Sequence, residues 1–188
     1  MFAVRARSQR YRSRHAAGFS LVELLVVLSI LTVLISILVP TVAAARSRAA
    51  ATACKSNLRN IGQALRMYLN ENKDKYPPAP ALPSVNPNKW PTLMDHLRKY
   101  ITKSSDEAIE IFRCPADEET FAAEKTSYFY NSQLGTEPLE KNIFFQVFQS
   151  KHKVVTVLDA GDFHGRTLPM NCLFLDGHVE QVARPKGM

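Results

Sequence analysis

A single carboxylate, Glu23, lies inside an otherwise apolar segment that runs from Phe19 to Val39. The other interruptions of this segment are small hydroxyl residues: Ser20, Ser29, Thr32 and Ser36. About 20 residues suffice for a helix to cross a bilayer, and hydroxyls can donate to carbonyls one turn back. A carboxylate near the middle of a membrane costs about 2.5–3.5 kcal/mol on insertion scales. We therefore expect Glu23 to have a functional partner.

Acids and histidines recur near the other end of the chain, where they could hold a metal ion: Asp159, Asp162, His164, Asp176 and His178. Oxygen ligands suit Ca²⁺, and a mixed set of histidine and aspartate suits a transition metal. None of these residues has the spacing of a known calcium loop. The alternative is that the acids shape turns and the histidines sit at strand edges. We expect no cofactor, and Ca²⁺ stays open as the alternative.

The three cysteines are far apart in the sequence, at Cys54, Cys114 and Cys172. The absence of a CxxC pair argues against a structural zinc site built from thiolates. In an oxidising compartment, Cys54 and Cys114 could close a loop of about 60 residues, worth about 3–4 kcal/mol in the chain-entropy model. Cys172 lies between apolar residues and is expected to be buried.

Sequence motifs for catalysis are missing. The chain contains no GxSxG, no HExxH and no glycine-rich phosphate loop, and it has only 7 glycines in all. We therefore predict that the protein is not an enzyme.

The residues before the apolar segment are basic. Five arginines and no acid precede Gly18, so most of the net charge of +7 belongs to this leader and the rest of the chain is near +2. A basic leader is held in the cytoplasm, and the chain that follows is sent outward. Because the small residues precede the apolar run, cleavage there would remove the charges and keep the helix. The high isoelectric point is thus weak evidence for nucleic-acid binding, and we expect none.

The segment GFSLVE, from Gly18 to Glu23, resembles the processing site of type IV prepilins and type II secretion pseudopilins. The resemblance implies cleavage after Gly18 by a prepilin peptidase and N-methylation of the new terminus, Phe19. It also implies that Glu23 pairs with the terminal amine of a neighbouring subunit, which makes a buried charge tolerable. The alternative is an ordinary signal anchor with an incidental acid.

A second resemblance concerns the C-terminal part of the chain. The segments KSNLRNIGQALRMYLNENKDKYPP, RCPADEE and NCLFLDGHVE look like those of a large group of bacterial prepilin-like proteins, whose signature is a histidine, nine residues and Asp-Gly. Here eleven residues separate His164 from Asp176, so the match is inexact.

Hydrophobic periodicity predicts one long helix from Phe19 to about Asn72, with an apolar stripe that begins at Cys54. A proline-rich loop follows, and Trp90-Pro91 opens a short helix with Trp90 as a core anchor. The predicted strands are the segments 127–131, 154–159 and 171–176, with 143–148 as a further candidate. Asp176-Gly177 predicts a two-residue hairpin in which Phe174 pairs with Val179.

The predicted fold is α+β and pilin-like, with a long N-terminal helix packed on a small antiparallel sheet. Its parts are a basic leader (1–18), a transmembrane and filament-core half-helix (19–40), an amphipathic half-helix (41–73) and a globular α+β domain (74–188). We expect a single-pass protein of the bacterial inner membrane with a cytoplasmic N-terminus and a periplasmic domain. The expected partners are prepilin peptidase and other pilin or pseudopilin subunits, in a type IV pilus or a type II secretion pseudopilus. The rival hypothesis is a membrane-tethered binding domain that does not polymerise.

Overall fold

A computed structural model describes residues 20–86, 88–101, 105–136, 141–161, 163–164 and 169–183. The chain divides into two compact units, with the boundary between Val42 and Ala43. The helices are α1 (Leu21–Glu71), α2 (Leu93–Ile101), α3 (Ser105–Ile111), α4 (Glu119–Glu124) and α5 (Ile143–Phe148). The strands are β1 (Tyr128–Tyr130), β2 (Val155–Asp159), β3 (Met170–Phe174) and β4 (Val179–Val182). The α+β prediction, a long N-terminal helix with a small antiparallel sheet, is confirmed.

The first unit contains the apolar part of α1. Its length and composition allow this helix to cross a bilayer. The hydroxyls donate to backbone carbonyls as expected: Ser29 to Val26, Thr32 to Leu28 and Ser36 to Val33. These bonds satisfy the polar groups without a partner outside the helix.

In the second unit, the predicted stripe of α1 forms one wall of the core. Cys54, Leu58, Ile61 and Leu65 are buried, whereas Arg59 on the opposite side is exposed. Spacings of three and four place these apolar side chains on one face, so the helix can bury them together. Burying a leucine or isoleucine stabilises the fold by about 1.5–3 kcal/mol relative to leaving it exposed.

The start of α2 is fixed by a reciprocal cap. The backbone N–H of Thr92 donates to Asp95 Oδ2 at 2.9 Å, and the N–H of Asp95 donates to Thr92 Oγ1 at 3.3 Å. This capping box sets the helix start at Leu93, two residues after Pro91. Trp90 lies before the cap and is 51% exposed, so the prediction that it anchors the core is wrong.

The sheet is an antiparallel meander in the order β1-β2-β3-β4. The three strongest strand predictions are confirmed, with ends shifted by one or two residues. The segment 143–148 is a helix instead, because the N–H of Gln146 donates to the carbonyl of Asn142 and closes a helical turn. Gln149 then adopts a left-handed φ of 47°, a conformation that commonly ends helices.

The turn between β3 and β4 differs from the two-residue prediction. Leu173 pairs with Val179, and the N–H of Phe174 donates to the carbonyl of His178, so three residues form the loop. Within this turn only Gly177 has a positive φ, 88°, whereas a two-residue turn would require one at Asp176 as well. This is the three-residue hairpin with a glycine in the left-handed position, and it shifts the register by one residue.

Gly135 gives a prediction for the fold. An added Cβ would lie 2.2 Å from the carbonyl oxygen of Pro77, which is backbone and cannot rotate away. We expect Gly135→Ala to destabilise the domain by about 1–3 kcal/mol, as overpacking does. Chemical denaturation followed by circular dichroism measures the loss. Ser132→Ala, which removes atoms from the same turn, is the control. Equal unfolding midpoints for Gly135→Ala and the native chain would contradict the close approach.

Candidate functional sites

The helix N-terminus holds the only acid of the apolar segment, Glu23. Its Oε2 accepts a hydrogen bond of 2.9 Å from the backbone N–H of Ser20. The carboxylate therefore satisfies one of the amide groups that a helix leaves unpaired at its start, where negative charge is also favoured by the helix dipole. Gly18 and Phe19 lie outside the described residues.

The surface around Glu23 is apolar and uncovered. Every residue from 20 to 46 is exposed, with Leu21 at 78% and Val39 at 63%. Monomeric soluble proteins rarely expose apolar patches larger than a few hundred Å². This segment therefore requires lipid or another apolar surface as its surroundings.

A buried cluster forms where α1 meets the loop after α3 and the end of β2. Cys54 and Cys114 are joined as a disulfide with their Cα atoms 5.3 Å apart. The backbone of Cys114 is held by Ser127, whose Oγ accepts its N–H at 2.9 Å. His164 Nε2 lies 3.7 Å from Cys114 Sγ and 3.4 Å from Asp159 Oδ2. Two candidates from the sequence, Asp159 and His164, thus meet beside the disulfide.

Asn171, which the sequence did not single out, orients the carboxylate of this cluster. Its backbone N–H and its Nδ2 both donate to Asp159 Oδ2, at 2.9 and 3.0 Å. The hydroxyl of Ser47 on α1 donates to the backbone carbonyl of His164. The pairing of β2 with β3 brings residue 171 opposite this end of β2, so only the sheet register could have revealed it. Asp162 lies outside the described residues.

The other two candidates, which are half-buried, lie at the β3–β4 turn in a cluster with the exposed His152; we call it the exposed cluster. The carboxylate of Asp176 contacts Nδ1 of His178 through one oxygen and Nδ1 of His152 through the other. His152 was missed because it precedes β2, and only the antiparallel pairing brings the start of β2 beside the end of β3. His164 belongs to the buried cluster, so the structure does not gather His164, Asp176 and His178 around one centre. Arg66 of α1 donates to the backbone carbonyl of Asp176.

The exposed cluster gives a pH prediction. Partial desolvation raises the pKa of Asp176, but hydrogen bonds from the backbone and ring of His178 and from His152 outweigh it and hold the pKa below its ordinary value. A lowered pKa adds stability that is present above the ordinary pKa and is lost as the pH falls through the folded-state pKa. We expect Asp176→Asn to lose less stability than the native chain between about pH 5 and pH 2.

Unfolding midpoints from circular dichroism at several pH values test this difference. Glu118→Gln, which changes an exposed acid outside the cluster, is the matched control and is expected to follow the native pH profile. Identical acid profiles for Asp176→Asn and the native chain would exclude the contribution of Asp176.

Cys172 is a free, buried thiol in β3. Burial raises its pKa to about 11. A thiol with a raised pKa is rarely ionised and is a poor nucleophile or metal ligand. Cys172 is therefore a packing residue, as the sequence predicted.

Comparison with known proteins bears on the N-terminal segment. Residues 13–39 match the family described as "Prokaryotic N-terminal methylation motif". The chain is also 39% identical, over 59 residues, to the type IV wide pilus major component PilA4 of Thermus thermophilus. The N-terminal segment of the chain is therefore similar to that of type IV prepilins.

The similarity is local. The aligned segment covers 31% of this chain and 45% of the relative, so the chain spans less than half the length of the curated relative it matches. No solved structure matches the chain. The matched motif falls on the segment that contains Glu23.

Proposed function

We propose that this protein is a structural filament subunit, cut after Gly18 and assembled through its N-terminal helix. The observation that carries the proposal is the continuous apolar surface of α1, which is exposed from Leu21 to Val39 and contains one acid. Lipid can cover that surface before assembly, and helices of other subunits can cover it afterwards. Hydrophobic packing of about 25 cal/mol per Å² of buried apolar area would then hold the filament core together.

Cleavage would supply a cationic partner for Glu23. Removal of the leader frees the amine of Phe19, and a carboxylate pairs with a cation when both leave water. Support comes from the bond between the Ser20 N–H and Glu23, which holds the carboxylate against the residue that follows Phe19 in the sequence. In the filament, the carboxylate of one subunit would accept the amine of its neighbour.

The route to assembly begins in the inner membrane. The arginine-rich leader stays in the cytoplasm, α1 crosses the bilayer, and the domain that follows lies in the periplasm. A prepilin peptidase cuts the chain after Gly18 and methylates the new terminus. The further partners of the processed subunit are other pilin or pseudopilin subunits.

The kind of filament is a type IV pilus or a type II secretion pseudopilus. The name of the Thermus relative, a major pilus component, favours the pilus. Deletion of the gene separates the two: loss of sheared surface fibres indicates a pilus subunit, and loss of protein secretion with intact fibres indicates a pseudopilus subunit.

Mass spectrometry of the protein purified from its native host tests the processing step. We expect the N-terminus at Phe19, with one added methyl group. Protein from cells that lack the prepilin peptidase is the control and should begin with the leader. An intact leader in cells that contain the peptidase would overturn the proposal.

The exposed cluster of His152, Asp176 and His178 favours a second candidate, a tethered binding domain that never polymerises. Cysteine cross-linking separates the two functions. In a Cys172→Ser background, Leu31→Cys places a thiol on the exposed apolar face of α1. The filament predicts oxidative dimers that disappear without the peptidase, and the tether predicts no dimers in either strain.

A further inference from the structure

Three side chains of the buried cluster are of the kinds that bind transition metals. The ligand atoms of Cys54, Cys114 and His164 all lie within 4.8 Å of one another. Both cysteines are fully buried, and His164 is 4% exposed. The three residues come from α1, from the loop after α3 and from the segment after β2, so only the tertiary fold brings them together.

A fourth group of the right chemistry lies beside them. Asp159 is 3% exposed, and its Oδ2 is 3.4 Å from His164 Nε2. Asp159 Oδ1 and His164 Nδ1 are both buried without a hydrogen-bond partner among the described residues. Unpaired buried polar atoms are uncommon because each costs about 1–3 kcal/mol in proteins. Oδ2 already accepts two hydrogen bonds from Asn171, so Oδ1 is the carboxylate oxygen left to bind a cation.

We propose that the dithiol form of this domain binds one Zn²⁺ ion through Cys54, Cys114, His164 and Asp159. Zinc takes four ligands in a tetrahedron, with bonds of about 2.3 Å to sulfur and about 2.0–2.2 Å to nitrogen and oxygen. In such a tetrahedron, two neighbouring ligand atoms lie about 3.3–3.8 Å apart. The Nε2 to Cys114 Sγ distance of 3.7 Å already matches such an edge. The Asp159 carboxylate lies 3.4 Å from the same nitrogen through Oδ2, which Asn171 holds, and Oδ1 is the oxygen that would bind the metal.

The disulfide and the metal are alternative occupants of one site. A small dithiol reductant gives two electrons and two protons to the disulfide, so the protein gains two thiols and the reductant becomes a cyclic disulfide. Zn²⁺ then displaces one proton from each thiol, and His164 binds as the neutral imidazole. Either occupant links α1 to the loop that contains Cys114. Sulfur and imidazole ligands select zinc over Ca²⁺, which takes oxygen ligands only.

Titration of the reduced chain with Co²⁺ tests the site. The full-length protein is held in detergent micelles, without oxygen or other metals, and Co²⁺ serves as the probe because it takes the same tetrahedral ligands. We expect one equivalent to bind, with a thiolate-to-cobalt charge-transfer band and intense tetrahedral d–d bands. One equivalent of Zn²⁺ should abolish both, and the oxidised chain should show neither.

Variants assign the ligands. Cys54→Ser should lose the charge-transfer intensity of one thiolate, and His164→Gln and Asp159→Asn should each weaken Co²⁺ binding at least tenfold. Cys172→Ser and His152→Ala, which change the free thiol and the exposed cluster, should bind like the native chain. The circular dichroism of each oxidised His164 and Asp159 variant shows whether it folds, because the disulfide remains.

Two results overturn the proposal. One is a reduced native chain with no charge-transfer band at excess Co²⁺. The other is a folded His164→Gln or Asp159→Asn variant that binds Co²⁺ as tightly as the native chain. The native titration needs no variant, so the proposal stays testable if a substitution prevents folding.

Discussion

Glu23→Ala is expected to abolish filament assembly while membrane insertion and cleavage after Gly18 remain intact. Alanine removes a carboxylate from the first turn of the apolar helix, so insertion should be unchanged or improve slightly. Assembly should fail because the freed amine of Phe19 would be buried without a partner. Truncating one member of a buried charge pair costs about 2–5 kcal/mol, and each 1.4 kcal/mol is a factor of ten.

The measurement is the amount of subunit in the sheared filament fraction relative to the membrane fraction. We expect a fall of about 30-fold or more for Glu23→Ala. Glu23→Gln keeps the shape and the local bond to Ser20 but removes the charge, so it should fail as well. Ser36→Ala, whose hydroxyl bonds only to its own helix, is the matched control and should assemble normally. Wild-type amounts of filament from Glu23→Ala would remove the proposed pairing.

Loss of the Cys54–Cys114 link is expected to destabilise the domain by about 3–4 kcal/mol in oxidising conditions. The bond closes a loop with a sequence separation of 60, and opening it restores that much freedom to the unfolded chain. Such a loss is a large part of the 5–15 kcal/mol that stabilises a typical domain. The double substitution Cys54→Ala with Cys114→Ala avoids placing two hydroxyls in the core, where both positions are fully buried.

Urea unfolding followed by circular dichroism compares the variant with the native chain, each with and without a dithiol reductant. Metal-free buffer keeps zinc from replacing the disulfide. The native chain should lose stability on reduction, and the double variant should not respond to reductant. Cys172→Ala removes an equally buried but unlinked sulfur, and it should retain the full response. A native midpoint that reductant leaves unchanged would show that the link contributes nothing.

Local patterns in the sequence were sufficient for the N-terminal helix. The apolar run, the hydroxyls that bond to their own helix and the stripe from Cys54 to Leu65 depend on residues at most four positions apart. Interactions between residues this close in the sequence do not depend on the rest of the fold. The same reason explains why the strands around Tyr128, Val157 and Cys172 were predicted within one or two residues.

Prediction was weaker where a local pattern fits two structures. The segment 143–148 is apolar enough for a strand, yet it forms a helix whose Ile143 and Val147 are exposed. The turn at Gly177 accepts either a two-residue or a three-residue loop, and the two differ by one position in register. Trp90 is apolar but lies outside the core, because the capping box at Thr92 starts the helix after it. In each case a hydrogen bond decided between alternatives that hydrophobicity could not separate.

The sequence by itself determined the membrane-length helix, the place of its one acid and the resemblance to prepilins, because each lies within one short segment. The tertiary structure alone decided which distant side chains meet. It joins Cys54 to Cys114 and places His164 and Asp159 beside them. It places Asp176 and His178 in a separate cluster with His152. Those contacts span dozens of residues in the chain. They exist only because α1, the strand pairings and the loops between them fold into one domain.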